Sequence, residues 1–119
     1  MKNNELEIKL VNAFKEKLKG QISDNGELLM FRIPVRIVKI GELTATIQHR
    51  SFDVNQLLLH GSTNVYLAGV IEIYIEDEFK NVKPSEFYNF EAIGVGAKLN
   101  ADKEFEIQDK ITLSNFNKR

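Results

Sequence analysis

Two histidines are the first candidates for metal binding or proton transfer. His49 and His60 are the only imidazoles in the chain, and they lie eleven residues apart. A zinc site or a general base needs further ligands or hydrogen-bond partners at suitable positions, and the sequence places none beside either histidine. His49 also falls on the apolar side of a predicted strand. We therefore expect both histidines to be structural.

Carboxylates, glycines and serines offer no stronger signature. The acidic residues Glu72, Glu76, Asp77 and Glu78 fall in or beside a charged connection, which favours a solvated loop over a cation site. The stretch 94–98 contains two glycines and a lysine but lacks the spacing and the following helix of a phosphate loop. The chain has no Gly-x-Ser-x-Gly motif and no cysteine. These observations predict a protein without enzymatic activity, cofactor or bound metal.

Cations and aromatic rings at outward strand positions are the remaining candidates. Arginines can follow phosphates, and tyrosine rings can stack on bases of any sequence. Arg32 and Arg36 occupy the polar side of the first predicted strand, and Arg50 ends the polar side of the second. Tyr66 and Tyr74 lie on the less apolar face of the third. Packing under an N-terminal helix or in a dimer interface is an equal alternative for these two tyrosines.

The strand that carries the first arginines also indicates the architecture. Residues 28–40 alternate with period two, but the pattern changes phase at Val38. A β-bulge or coil produces such a change when a sheet curls on itself. A tight connection at Gly41-Glu42 leads into a second strand over residues 43–50, and the two strands predict a hairpin. A small closed or half-closed barrel is the architecture that we expect.

The N-terminal segment allows two interpretations. Apolar residues spaced by three or four positions predict an amphipathic helix over residues 5–19, ending at Gly20. Residues 6–10 also alternate with period two, which fits a short strand followed by a shorter helix. The cluster Ser23-Asp24-Asn25-Gly26 is typical of a turn before the first strand.

Three more strands follow from the pattern. The third covers residues 65–75, with apolar odd-numbered positions, and residues 52–64 before it fit a short helical turn or a loop. Residues 76–85 predict a long charged loop before a fourth strand over residues 87–99, in which Gly94 and Gly96 permit a bend. The apolar residues expected to face inward in the fourth and fifth strands are Ile93, Val95, Ala97, Leu99, Phe105, Ile107, Ile111 and Leu113.

Size and charge limit the class of protein. A chain of 119 residues with 43% hydrophobic content predicts a single domain over residues 1–119. The formal net charge of -1 argues against a strongly basic nucleic-acid binder, although a groove can still be positive. No run approaches the ~20 apolar residues of a membrane helix, and the first residues do not resemble a signal peptide. We expect a cytoplasmic protein without membrane contact.

The order of elements resembles the oligonucleotide/oligosaccharide-binding (OB) barrel, whose second and third strands and adjacent loops bind ligands. Over residues 28–113, with Arg32, Arg36, Arg50, Tyr66 and Tyr74 interleaved, the chain is similar to single-stranded DNA-binding proteins of phages that infect low-GC Gram-positive bacteria, particularly lactococcal phages. The resemblance implies a mainly all-β, five-stranded OB-like barrel with an N-terminal helix or strand-helix segment. It implies sequence-tolerant binding and protection of single-stranded DNA in phage replication and recombination, in the cytoplasm of the host cell.

The resemblance also implies a homodimer or homotetramer, with phage or host replication and recombination proteins as partners. Two departures qualify it: the chain lacks tryptophan for stacking, and its last residues are not the acidic tip by which bacterial relatives recruit partners. The expected phosphate contacts are Arg32, Arg36, Lys39, Arg50, Lys80 and Lys83. The expected stacking platforms are Phe52, Tyr66, Tyr74, Phe79 and Tyr88.

A second hypothesis assigns the same barrel to protein contact. In a virion component or an inhibitor of a host protein, exposed aromatics anchor an interface and cations form its rim. The near-neutral net charge favours this alternative.

Overall fold

The chain forms an N-terminal helix and a curled antiparallel sheet. The computed structural model describes residues 3–25, 36–48, 52–76, 79–82 and 84–119. The helices are α1 (Asn3–Asn25) and α2 (Val54–His60), and the strands are β1 (Arg36–Ile47), β2 (Ser62–Glu76), β3 (Glu86–Leu99), β4 (Phe105–Ile107) and β5 (Ser114–Lys118).

The sheet is a half-barrel. Its order is β1-β2-β3-β4, with β5 also paired to β3, and the pairs are all antiparallel. Helix α1 contacts both β1 and β4, the first and last strands in that order, because the sheet curls around the helix. The predicted class, mainly β with an N-terminal helix and an OB-like sheet, is confirmed.

The phase change at Val38 is a β-bulge. Ile37 pairs with Ile75, whereas Lys39, two positions further, pairs with Tyr74, only one position back. One residue of β1 is therefore extra at Val38, which is the irregularity that the sequence predicted. The part of the predicted first strand before Arg36 lies outside the described residues.

The predicted hairpin turn at Gly41-Glu42 is wrong, because β1 runs through both residues. A second register shift separates the pairs Ile40–Ile73 and Leu43–Ile71, so this segment is a bulge within one strand. The Glu72 carboxylate closes the bulge by accepting a hydrogen bond from the Glu42 N–H at 3.0 Å. A Cβ on Gly41 would lie 2.0 Å from Glu72 Oε1, so a side chain at this position would displace the Glu72 carboxylate from the bulge.

The fourth predicted strand is present as β3, but its faces change at Gly94. Tyr88, Phe90 and Ala92 are buried up to this point, and Val95 and Ala97 are buried after it. A register shift and a φ of 68° at Gly94 mark the change; positive φ is the conformation that glycine adopts at little cost. Ile93, predicted to face inward, is 62% exposed because it lies in this bulge.

Helix α1 is longer than predicted. Its buried residues Leu6, Leu10, Phe14 and Leu18 follow the expected spacing, and the Phe14 ring stacks on Phe90 at 6.2 Å between centroids. The alternative of a strand over residues 6–10 is wrong. The helix continues past Gly20 to Asn25, so the first three residues of the predicted Ser23-Asp24-Asn25-Gly26 turn are helical. Gly26 lies outside the described residues.

The helical interpretation of the middle segment is confirmed by α2. Asp53 caps its start by accepting hydrogen bonds from Asn55 N–H and Gln56 N–H at 2.9 and 3.1 Å. Gly61 ends it in the left-handed conformation, with φ 71°.

The predicted fifth strand, marked by Phe105, Ile107, Ile111 and Leu113, forms a strand only over its first three residues. Only Phe105–Ile107 pairs with β3 as β4, while Ile111 and Leu113 are buried outside any strand. The last strand, β5, was not predicted.

No helix among the described residues is long and apolar enough to cross a membrane. The cytoplasmic location remains a prediction.

Candidate nucleic-acid surface

Strand register brings several predicted contact residues to one end of the sheet. At this end β1 begins, β2 ends, β3 begins and β5 ends, as the pairs Arg36–Glu76 and Tyr88–Lys118 show. Lys39 pairs with Tyr74 in the same region, and Phe79 and Lys80 come three and four residues after Glu76, the last residue of β2. We term this region the basic end. Its cations among the described residues are Arg36, Lys39, Lys80, Lys118 and Arg119.

Aromatic rings at the basic end are open to solvent. The Phe79 side chain is 76% exposed and that of Phe87 is 39% exposed, while Tyr74 is half-buried. Apolar rings of this size are usually inside a protein, and several exposed ones together indicate a contact surface. A shallow cleft of about 660 Å³ adjoins Phe87, and its lining residues are Pro84, Ser85, Glu86, Phe87, Lys118 and Arg119.

Two carboxylates at the basic end are held by neighbouring groups. Glu72 accepts a hydrogen bond from Ser85 Oγ at 2.7 Å, in addition to the one from the β1 bulge. Glu86 pairs with Lys118 Nζ at 3.1 Å and accepts a hydrogen bond from the Tyr88 hydroxyl at 2.5 Å. Hydrogen bonds and an opposite charge offset part of the negative field that these groups would present to a phosphate.

Tyr88 does not share this exposed surface. Its side chain is buried, and its ring stacks on Phe116 with 4.8 Å between centroids. Burial, and then the hydrogen bond to Glu86, raises the pKa of Tyr88 to about 12. The ring therefore serves the packing of β5 on β3.

Tyr66 and Phe52 lie elsewhere. Tyr66 is eight residues from Tyr74 along β2, or about 26 Å at the usual rise of a strand, and a hydrogen bond to the Glu91 side chain raises the pKa of its hydroxyl. Phe52 is half-buried and meets Phe105 edge-on at 6.4 Å. The structure thus brings Tyr74, but not these two rings, to the basic end.

Three predicted cations cannot be placed. Arg32, Arg50 and Lys83 lie outside the described residues. Of Arg36 and Lys39, only the strand positions are described.

Sequence reasoning missed Phe87, Lys118 and Arg119. They reach the basic end because β5 pairs with the start of β3, and the Arg119 N–H donates to the Phe87 carbonyl at 2.8 Å. The signal for β5 is weak: Phe116 is the only apolar residue between Ser114 and Lys118.

The described residues contain no group of three histidine, cysteine or acidic side chains that could hold a metal ion. His60 lies on the exposed last turn of α2, and His49 lies outside the described residues.

The fold is an OB-like half-barrel, and one end of its sheet brings several cations together with exposed aromatic rings. No family model, curated protein or solved structure matches the chain.

Proposed function

We propose that the protein binds single-stranded DNA without sequence preference, using the basic end as its contact surface and performing no chemistry. The observation that carries the proposal is the pairing of Lys39 with Tyr74 at the end of the sheet from which the chain continues to Phe79 and Lys80. Their types match a stacking platform next to phosphate-binding cations. Protection of single strands during phage replication or recombination is the role that the resemblance suggests for such binding.

Within this surface, Phe79 is the principal stacking residue because most of its side chain is exposed. Tyr74 and Phe87 extend the platform along β2 and β3. Lys80 and Arg119 contact phosphates, and the strand positions of Arg36 and Lys39 lie at the same end of the sheet. The proposed surface does not include Tyr66 and Phe52, which lie elsewhere in the fold, or Tyr88, which is buried.

Fluorescence anisotropy with labelled poly-dT over a salt series tests the proposal. We expect tighter binding to poly-dT than to duplex of the same length, weakening linearly on a log–log plot against salt. Binding that is indifferent to salt, or no tighter than binding to duplex, would refute it.

Substitution of Phe79 tests the stacking role. Phe79→Ala is expected to weaken poly-dT binding by about 1 to 3 kcal/mol, the usual contribution of one stacked base. Leu58→Ala, which truncates a 72% exposed side chain on α2, is the matched control and should leave affinity unchanged. Equal effects of the two variants would remove Phe79 from the surface.

Lys80 tests the phosphate contact. Its φ of 64° favours asparagine among replacements, so Lys80→Asn removes the charge with little backbone strain. We expect the slope of log affinity against log salt to fall by roughly 0.7, the value for one phosphate contact on a single strand. Lys17→Asn, on exposed α1, should not change the slope.

A second candidate is a non-enzymatic interaction module, such as a virion component or an inhibitor of a host protein. The adjacent side chains of Leu58 and Leu59, 72% and 78% exposed on the capped helix α2, favour it. It predicts no salt-dependent affinity for poly-dT, so the same titration separates the two candidates.

A further inference from the structure

A groove of about 810 Å³ separates α1 from β1. It is lined by Glu7, Ile8, Val11, Asn12, Lys15, Ala45, Thr46, Ile47 and Phe52. Ile8 is 59% exposed there, although the leucines and the phenylalanine of α1 are buried. The groove is therefore an apolar surface that the described part of the chain does not cover.

One wall of the groove is the edge of the sheet. Among the described residues, β1 pairs with β2 alone. The Gln48 N–H donates to the Tyr66 carbonyl at 2.8 Å, so the alternation of an antiparallel ladder directs the backbone groups of Ala45 and Ile47 to the outer edge.

This part of the edge has none of the usual protections against pairing. Over residues 43–47 the register is regular, and the stretch contains no charge and no proline. Bulges, lysines and prolines are the features by which exposed edge strands resist pairing with another chain. Both described bulges of β1 lie before this stretch.

Charges on α1 make the groove complementary to a second copy of itself. Glu7 and Lys15 both line the groove and are eight residues apart, or about 12 Å along the helix. A two-fold axis that passes near Val11, perpendicular to both β1 and α1, sets the two β1 edges antiparallel and the two α1 helices antiparallel. Glu7 of each copy then faces Lys15 of the other.

We propose that the groove and the outer edge of β1 form the interface of a symmetric homodimer. The two sheets join through residues 43–47 of β1, and Ile8 and Val11 of each copy are covered. A two-fold interface of this kind is closed, so it stops at two copies and does not extend into a fibre. The proposal does not depend on DNA binding, since it uses none of the residues of the basic end.

Sedimentation velocity of the full chain over a concentration series, without DNA, tests the proposal. We expect a dimer whose dissociation constant rises about tenfold or more in Glu7→Lys and in Lys15→Glu, because each change sets like charges against each other. An equimolar mixture of these two variants should recover the dimer, since each supplies the charge that the other lacks. Lys17→Glu makes the same charge change away from the groove lining and should leave the dimer unchanged.

Ile8→Lys provides a second test that does not rely on the charge pair. Ile8 is exposed, so the helix tolerates lysine, as circular dichroism will verify, but a dimer that buries this position should dissociate. A chain that is monomeric at every attainable concentration would overturn the proposal. So would a dimer that all three groove variants leave intact, or a failure of the mixture to recover it. A monomer that binds an extended peptide at β1 would assign the groove to another protein.

Discussion

Gln21 holds the end of α1 to the segment between β4 and β5. Its Nε2 donates to the Ile111 carbonyl at 2.7 Å, and its Oε1 accepts from the Ile111 N–H at 2.8 Å. The side-chain amide thus pairs with one backbone residue as a neighbouring strand would. Two hydrogen bonds at about 1 kcal/mol each, plus about 1 kcal/mol for leaving the backbone groups of buried Ile111 unpaired, give roughly 3 kcal/mol for Gln21→Ala.

Urea unfolding followed by circular dichroism measures this loss. We expect a lower midpoint at unchanged slope, because the surface exposed on unfolding stays nearly the same. Lys17→Ala, four residues earlier on the exposed helix surface, controls for helix propensity and should change stability by less than about 0.5 kcal/mol. Gln21→Glu should also destabilise at neutral pH, since a carboxylate accepts from the Ile111 N–H but cannot donate to its carbonyl. A Gln21→Ala loss no larger than that of the control would refute the reasoning.

Three further predictions concern stability and titration. Asp53→Ala should cost about 0.5 to 2 kcal/mol in urea unfolding by removing the cap of α2, whereas Asp53→Asn should retain most of it. Gly69→Ala should prevent native folding by circular dichroism, because its Cβ would lie 1.8 Å from the Thr44 carbonyl oxygen of β1. In ultraviolet titration, one of the three tyrosines should ionise only near pH 12, and Tyr88→Phe should abolish that step. Since the pKa of Tyr88 is raised from 10.0 on folding, its contribution to stability is complete below pH 10 and is lost as the pH rises towards 12.

The parts of the fold that the sequence predicts well are those with uninterrupted periodicity. In β2, Val65, Leu67, Ile71 and Ile73 are buried as their alternation indicates. The core residues of α1 likewise follow helical spacing. In both elements one face is buried and its residues are apolar, so the spacing of apolar residues in the sequence predicts the secondary structure and its buried face directly.

The errors arise where a local pattern has two structural solutions. Gly41-Glu42 suits a tight turn and a bulge equally, and only the distant Glu72 carboxylate, which binds the Glu42 N–H, decides for the bulge. Ile111 is buried without being in a strand because the Gln21 side chain, ninety residues away, satisfies its backbone. Contacts of this range leave no signal in the local sequence.

The candidate surface depends on register more than on residue type. Without the bulge at Val38, the pair Ile37–Ile75 would place Lys39 opposite Ile73; with it, Lys39 lies opposite Tyr74. The extra residue therefore moves a cation from an apolar partner to an aromatic one. Tyr66 shows that residue type alone is not sufficient. It is a tyrosine on the same face of β2 as Tyr74, yet it lies about 26 Å away along the strand. Composition supplied the cations and rings, whereas pairing between strands determined which of them meet.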